Sequence, residues 1–148
     1  MPAFITFGRI LFCVMFIFSG ASKLLDLTAT AQMTEKIVLP AALATYTSQL
    51  EGLTGMSMPM MLAVAAGALE VICGFMIALN FGARFFAILL ILFVAAATFY
   101  YHDFWNQAGP EARNNMVHAL KNLALIGALF MIAGYGRMSR APEPAYDV

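Results

Sequence analysis

Four apolar stretches, each long enough to cross a bilayer, take up most of a chain of only 148 residues. A hydrocarbon core roughly 30 Å thick needs about 20 consecutive apolar residues in helical form. Residues 4–25, 58–79, 84–101 and 116–135 meet that requirement. Lipid offers no hydrogen bonds, so the backbone of each span must satisfy its own, and spans of this length are helices. The expected fold class is therefore all-α, a transmembrane four-helix bundle. A long outer loop, residues 26–57, joins helices one and two.

Composition supports the same reading. The chain is 62% hydrophobic and 11% charged, too few charges to coat a water-facing surface. Eight basic and eight acidic residues cancel, and no basic face of the kind that binds nucleic acid is present. The bilayer is the first partner. The two cysteines, Cys13 and Cys73, sit inside apolar stretches and form no CxxC motif. The first stretch continues past the small residues Ser19-Gly20-Ala21-Ser22 to Leu25 and is expected to be a retained span, not a cleaved leader.

The connections differ in kind. Asn80-Phe81-Gly82-Ala83 predicts a tight turn between antiparallel second and third helices. The run 102–115 is a polar loop carrying the turn signal Gly109-Pro110. Within 26–57, the mildly amphipathic run 41–50 predicts a short helix lying on the membrane surface or capping the bundle. Residues 1–139 form the transmembrane domain, and 140–148, with two prolines and no periodicity, a loose cytoplasmic tail. The basic residues tie, four on each side, but Asp26, Glu35, Glu51, Asp103 and Glu111 crowd one side, and Lys23 and Lys121 belong to helices instead of loops. This places both termini in the cytoplasm.

Ionisable residues inside spans are functional candidates by default. Arg9 and Glu70 fall roughly 8 and 14 Å from the same end at 1.5 Å per residue, a spacing that predicts a buried ion pair. Its two readings are a structural pair that fixes helix register and a proton-accepting carboxylate beside a ligand. Toward the other end, Ser19 and Lys23 share a face of helix one, His118, Lys121 and Asn122 share a face of helix four, and His102 ends helix three. If these faces converge, they make a donor-rich pocket suited to a carbonyl or anionic oxygen. The competing reading has Lys23 snorkelling to the headgroups and His102 in the wet interface. Two histidines sixteen residues apart make no metal motif, and Met56, Met58, Met60 and Met61 read as apolar packing. No metal site is expected.

The pattern as a whole resembles the DoxX family of small four-helix membrane proteins. Gly8-Arg9 and Phe16-Ile17-Phe18-Ser19-Gly20 with Lys23 resemble its first helix. Glu70, Gly74, Gly82 and Arg84 resemble the second and third, and Thr98-Phe99-Tyr100-Tyr101-His102-Asp103-Phe104-Trp105 the end of the third. Lys121-Asn122-Leu123 and Gly134-Tyr135-Gly136-Arg137 with Ser139 resemble the fourth and its exit, although Arg140 follows where the family usually has an aspartate. The resemblance implies a multi-pass protein of the bacterial inner membrane, associated with quinol oxidase and thiosulfate:quinone oxidoreductase systems. No cofactor motif is intrinsic to the chain, so redox activity would run through a bound quinone or a partner subunit. The resulting expectation is a quinone-linked redox accessory or membrane oxidoreductase component. The alternatives are a non-enzymatic accessory or assembly subunit of a larger membrane complex and a small anion or lipid binder or transporter.

Overall fold

A computed structural model describes residues 3–135, and the tail assigned to 140–148 lies outside them. The described residues are mostly helical, without strands, and four helices are long and apolar enough to span a membrane. In chain order these are α1 (Ala3–Leu25), α4 (Met58–Ala78), α5 (Ala83–Tyr101) and α6 (Gly109–Tyr135). Two shorter helices, α2 (Leu27–Thr34) and α3 (Ala44–Thr54), occupy much of the segment joining the first two spans.

The closest packing is between α1 and α4, and glycines make it possible. A Cβ built on Gly20 would lie 2.6 Å from the carbonyl oxygen of Gly67 and 2.9 Å from Cβ of Glu70. One on Gly67 would meet the Leu24 side chain at 2.8 Å, and one on Gly74 the Ile17 side chain at 2.8 Å. Small residues in a membrane interface let two backbones approach and gain dispersion contacts that lipid would otherwise supply. These three glycines also fix the antiparallel register. Gly20 lies level with Gly67 and Glu70, and Ile17 level with Gly74.

The turn between α4 and α5 closes as its residue types predict. Asn80 takes the left-handed conformation (φ 59°). The Phe81 amide donates to the Met76 carbonyl at 2.9 Å and the Asn80 amide to that of Ile77 at 3.0 Å. This is the Schellman pattern, which satisfies the last carbonyls of a helix. Gly82, also left-handed (φ 58°), then starts α5.

Helix α6 begins at Gly109, seven residues before the apolar stretch at 116. Gly109 has φ 70°, Pro110 suits a first helical turn, and Glu111 is favourable near a helix N-terminus. Apolarity marks where a helix enters lipid, not where it begins, so the polar turns of α6 are hidden from a hydropathy reading. The shorter helices are built from side-chain caps. Asp26 Oδ1 accepts from the Ala29 amide at 3.1 Å and starts α2. Thr34 Oγ1 donates to the Pro59 carbonyl at 2.8 Å, tying the end of α2 to the start of α4. Glu51 Oε1 accepts from the Met58 amide at 2.7 Å, so α3 also holds the α4 N-terminus. Leu43, Tyr46, Leu50 and Leu53 form an exposed apolar stripe along α3, in keeping with the amphipathic helix expected there.

The buried core occupies one half of the bundle. Cys13, Phe16, Cys73, Ile77, Ala87, Leu90, Val94 and Leu129 form one cluster drawn from all four spans. It lies toward the Arg9 end, beyond Gly20 and Glu70. The other half is not filled in this way, and that is where the polar residues gather.

Gly20→Ala is expected to lower the thermal midpoint in mild detergent, with an overpacking cost of about 1–3 kcal/mol. Gly127→Ala, at a position with nothing within 4 Å of a new Cβ, should leave the midpoint unchanged or raise it, since alanine is the better helix former. Equal midpoints for the two variants would contradict the close α1–α4 contact.

Candidate functional site

Where the core cluster ends, a cavity of about 560 Å³ opens among α1, α2, α4, α5 and α6. That volume falls within the range typical of small-molecule sites. Phe16 and Val94 belong both to the core and to the cavity floor. Most of the wall is apolar, including Met15, Leu62, Leu69 and Phe93, and a few polar groups interrupt it.

The chief polar feature is an ion pair. Lys23 Nζ donates to Glu70 Oε2 at 2.8 Å and to Ser19 Oγ at 2.6 Å. The Glu70 side chain is 6% exposed and that of Lys23 31%, so the carboxylate lies inside while the ammonium stem reaches down to it from the α1 end. An unpaired ion at this depth would be costly to keep charged, and each partner supplies the other's counter-charge. An ammonium carries three N–H donors, two of which are used. Glu70 Oε1 makes no hydrogen bond among the described residues. The pair therefore offers a ligand one donor and one carboxylate acceptor side by side.

This corrects the pairing expected from depth. Glu70 binds Lys23 and not Arg9. The α1–α4 register places Glu70 level with Gly20, and Arg9 lies eleven residues farther along α1, roughly 16 Å at 1.5 Å per residue. That is beyond the reach of an arginine side chain. Distances counted from helix ends ignore how far one helix is slid along the other. The same register supplies an acid to a pocket expected to be donor-rich.

The opposite wall comes from α5 and α6. Tyr100, Tyr101, His102 and Asn122 line it. Asn122 Nδ2 donates to Thr98 Oγ1 at 3.0 Å, and Thr98 Oγ1 donates in turn to the Val94 carbonyl at 2.6 Å, which fixes α6 against α5. His118 stacks on His102, ring centroids 5.1 Å apart and planes 11° from parallel, but is itself exposed and does not line the cavity. Lys121 is likewise exposed and outside the cavity. It lies one residue from Asn122, whose Thr98 partner sets it near the aromatic rings of Phe99, Tyr100 and Trp105, a level at which lysine snorkels.

Of the residues singled out in the sequence, Ser19, Lys23, Glu70, His102 and Asn122 come together at one cavity, whereas Arg9, His118 and Lys121 do not line it. Thr30 and Thr34 of α2 are buried, line the cavity and were not anticipated. Thr30 Oγ1 donates to the Asp26 and Lys23 carbonyls at 2.8 and 3.2 Å, so α2 folds back over the cavity mouth. The available signal was the Asp26 cap followed by threonines four apart. Tyr100 and Tyr101 also line the cavity. Among the described residues no group of three or more His, Cys, Asp or Glu side chains is placed to hold a metal ion.

Lys23→Met should strand the Glu70 carboxylate and cost about 3 kcal/mol, the lower edge for breaking a buried pair because Lys23 keeps some exposure. Lys23→Met with Glu70→Leu should recover most of that loss. Unfolding titrations that show simple additivity would mean the two side chains are not coupled.

The comparisons with known proteins agree with this architecture. An inner membrane protein of Escherichia coli (strain K12), YphA, is 27% identical over 132 residues, covering 89% of this chain and 82% of that protein. No solved structure matches the chain significantly. With four apolar spans, the likeness to YphA supports a multi-pass inner-membrane protein. The DoxX family model matches residues 4–103, through the first three spans and the whole α1–α4 contact, and the chain belongs to the DoxX family.

Proposed function

We propose that this chain is a quinone-linked redox accessory of the inner membrane, with the cavity as its quinone site. The observation that carries the reading is the Lys23–Glu70 pair set into an otherwise apolar wall. A quinone has an apolar ring and tail, with oxygens that accept hydrogen bonds when oxidised and donate them when reduced. The spare Lys23 N–H suits a carbonyl oxygen, and the free Glu70 oxygen suits a hydroxyl. Ser19 steadies the ammonium, and Tyr100, Tyr101 and the apolar side chains exclude water, which strengthens each polar contact. A bound quinone supplies two-electron redox chemistry. Lys23 and Glu70 supply a paired, net-neutral polar site in which one donor and one acceptor meet the quinone oxygens without an uncompensated charge in lipid. Reduction or oxidation of the quinone would be completed by a partner subunit.

The test is retention of quinone through purification. Wild-type protein in mild detergent, extracted with organic solvent, is expected to yield bound quinone. Glu70→Gln, which preserves shape but removes the charge, should lower the yield about tenfold, roughly one charge-assisted hydrogen bond. Lys121→Ala, outside the cavity, should leave it unchanged. Wild-type extracts free of quinone, or yields that ignore Glu70, would overturn the assignment.

A second reading, a non-enzymatic accessory subunit of a larger membrane complex, is favoured by α6. This helix packs chiefly on α5, and Gly127 and Gly134 have nothing within 4 Å of a new Cβ. Such open small-residue positions suit another helix. Co-purification of a stable partner in place of quinone would favour it.

A further inference from the structure

At the α5 end of the cavity a line of side chains fixes which nitrogen of His102 carries the proton. His102 Nδ1 lies 3.1 Å from Asn115 Oδ1. Asn115 Nδ2 donates to Gln107 Oε1 at 2.6 Å, and Gln107 Nε2 donates to Asp103 Oδ1 at 2.9 Å. Each amide has one accepting and one donating end, so the line has a direction, and the direction is set where it cannot be reversed. An ionised carboxylate offers only acceptors. Asp103 must therefore receive the amide nitrogen of Gln107. The carbonyl oxygen of Gln107 then faces Asn115, which must present its own nitrogen there. The carbonyl oxygen of Asn115 is left for His102, and Nδ1 must be the nitrogen that bears hydrogen.

The consequence lies on the other side of the ring. A neutral imidazole carries one proton; with it held at Nδ1, Nε2 is a bare lone pair. Nε2 makes no hydrogen bond among the described residues. His102 is half-buried and lines the cavity, and the parallel ring of His118 limits its rotation on one face. We propose that the Asp103–Gln107–Asn115 line holds His102 as an acceptor-only group at the cavity, so that the site selects a ligand presenting a hydroxyl there. The ligand class rests on the quinone assignment above. The reduced, hydroxyl-bearing form is preferred over the oxidised form, which has only acceptors and would meet the lone pair unfavourably. The position of the proton does not depend on that assignment.

The chain has two histidines, so long-range proton–nitrogen correlation spectra of protein labelled with nitrogen-15 histidine are readily assigned with a His118→Gln variant. At a pH where the ring is neutral, His102 is expected in the Nδ1–H form, the minor tautomer of free histidine. Asp103→Asn, which allows the line to reverse, should return it toward the Nε2–H form. Decylubiquinol added to the wild type should shift the Nε2 resonance and bind about tenfold more tightly than decylubiquinone, the equivalent of one hydrogen bond. His102→Leu should remove that preference.

An Nε2–H tautomer in the wild type, or a tautomer indifferent to Asp103→Asn, overturns the proposal. So does binding of both ligand forms with equal affinity and no change at Nε2. If neither form binds while the tautomer is as expected, the quinone assignment falls and the acceptor character of His102 stands.

Discussion

The structure depends on one close approach, α1 against α4 at Gly20, Gly67 and Gly74, and on the ion pair that this approach positions. In lipid the spans gain little from the hydrophobic effect, because the surrounding chains are as apolar as the side chains. Backbone proximity and a buried Lys–Glu pair provide what an apolar core provides in water. The two are coupled. Gly20 lacks a Cβ where the Gly67 carbonyl and the Glu70 Cβ lie, and Ser19 and Lys23 flank it on the same helix. The contact that fixes the register thus also sets the ammonium against the carboxylate.

That register divides the bundle into two halves with different properties. Toward Arg9, side chains from all four spans fill the interior, with Cys13, Phe16, Ile77, Leu90 and Leu129 all but inaccessible. Toward Lys23, the helices enclose space instead. The division follows from side-chain size. Ala65, Ala66, Ala96 and Ala97 line the cavity where Ile77, Leu90 and Leu129 fill the core. Alanine at these levels keeps α4 and α5 helical without filling the space between them. Helix α2 then folds back over the opening, held by Thr30 and Thr34.

The sequence disclosed the spans, the tight turn at Asn80 and the importance of Glu70, because each rests on a local property: apolar length, turn chemistry, or a charge where lipid should be. It did not disclose the partner of Glu70. Depths counted from span ends favoured Arg9, and only the three-dimensional sliding of α1 along α4, visible in the glycine contacts, selects Lys23. Lys121 was misplaced for a related reason. The periodicity of α6 shows that His118, Lys121 and Asn122 lie near one another, but not which edge of that face meets α5. The Asn122–Thr98 bond turns Asn122 inward and leaves Lys121 out. The cover formed by α2 was illegible because Leu27–Thr34 is short and weakly patterned, and its stability comes from a cap and two threonine hydrogen bonds to distant carbonyls.

The two polar walls of the cavity differ in how they are held, and this bears on what each can do. At the α1–α4 wall, Lys23 and Glu70 are balanced charges in a rigid contact. Removing either partner would leave the other without its counter-ion. At the α5–α6 wall, His102 is oriented by neutral amides whose direction is set by Asp103 near the water-facing turn. His102 makes no ion pair among the described residues, and the Asn115 carbonyl oxygen holds its Nδ1. The first wall therefore meets a ligand with charged groups, and the second with a neutral, oriented lone pair. A ligand that touches both walls would have one oxygen at each, one against charged groups and one against a neutral acceptor.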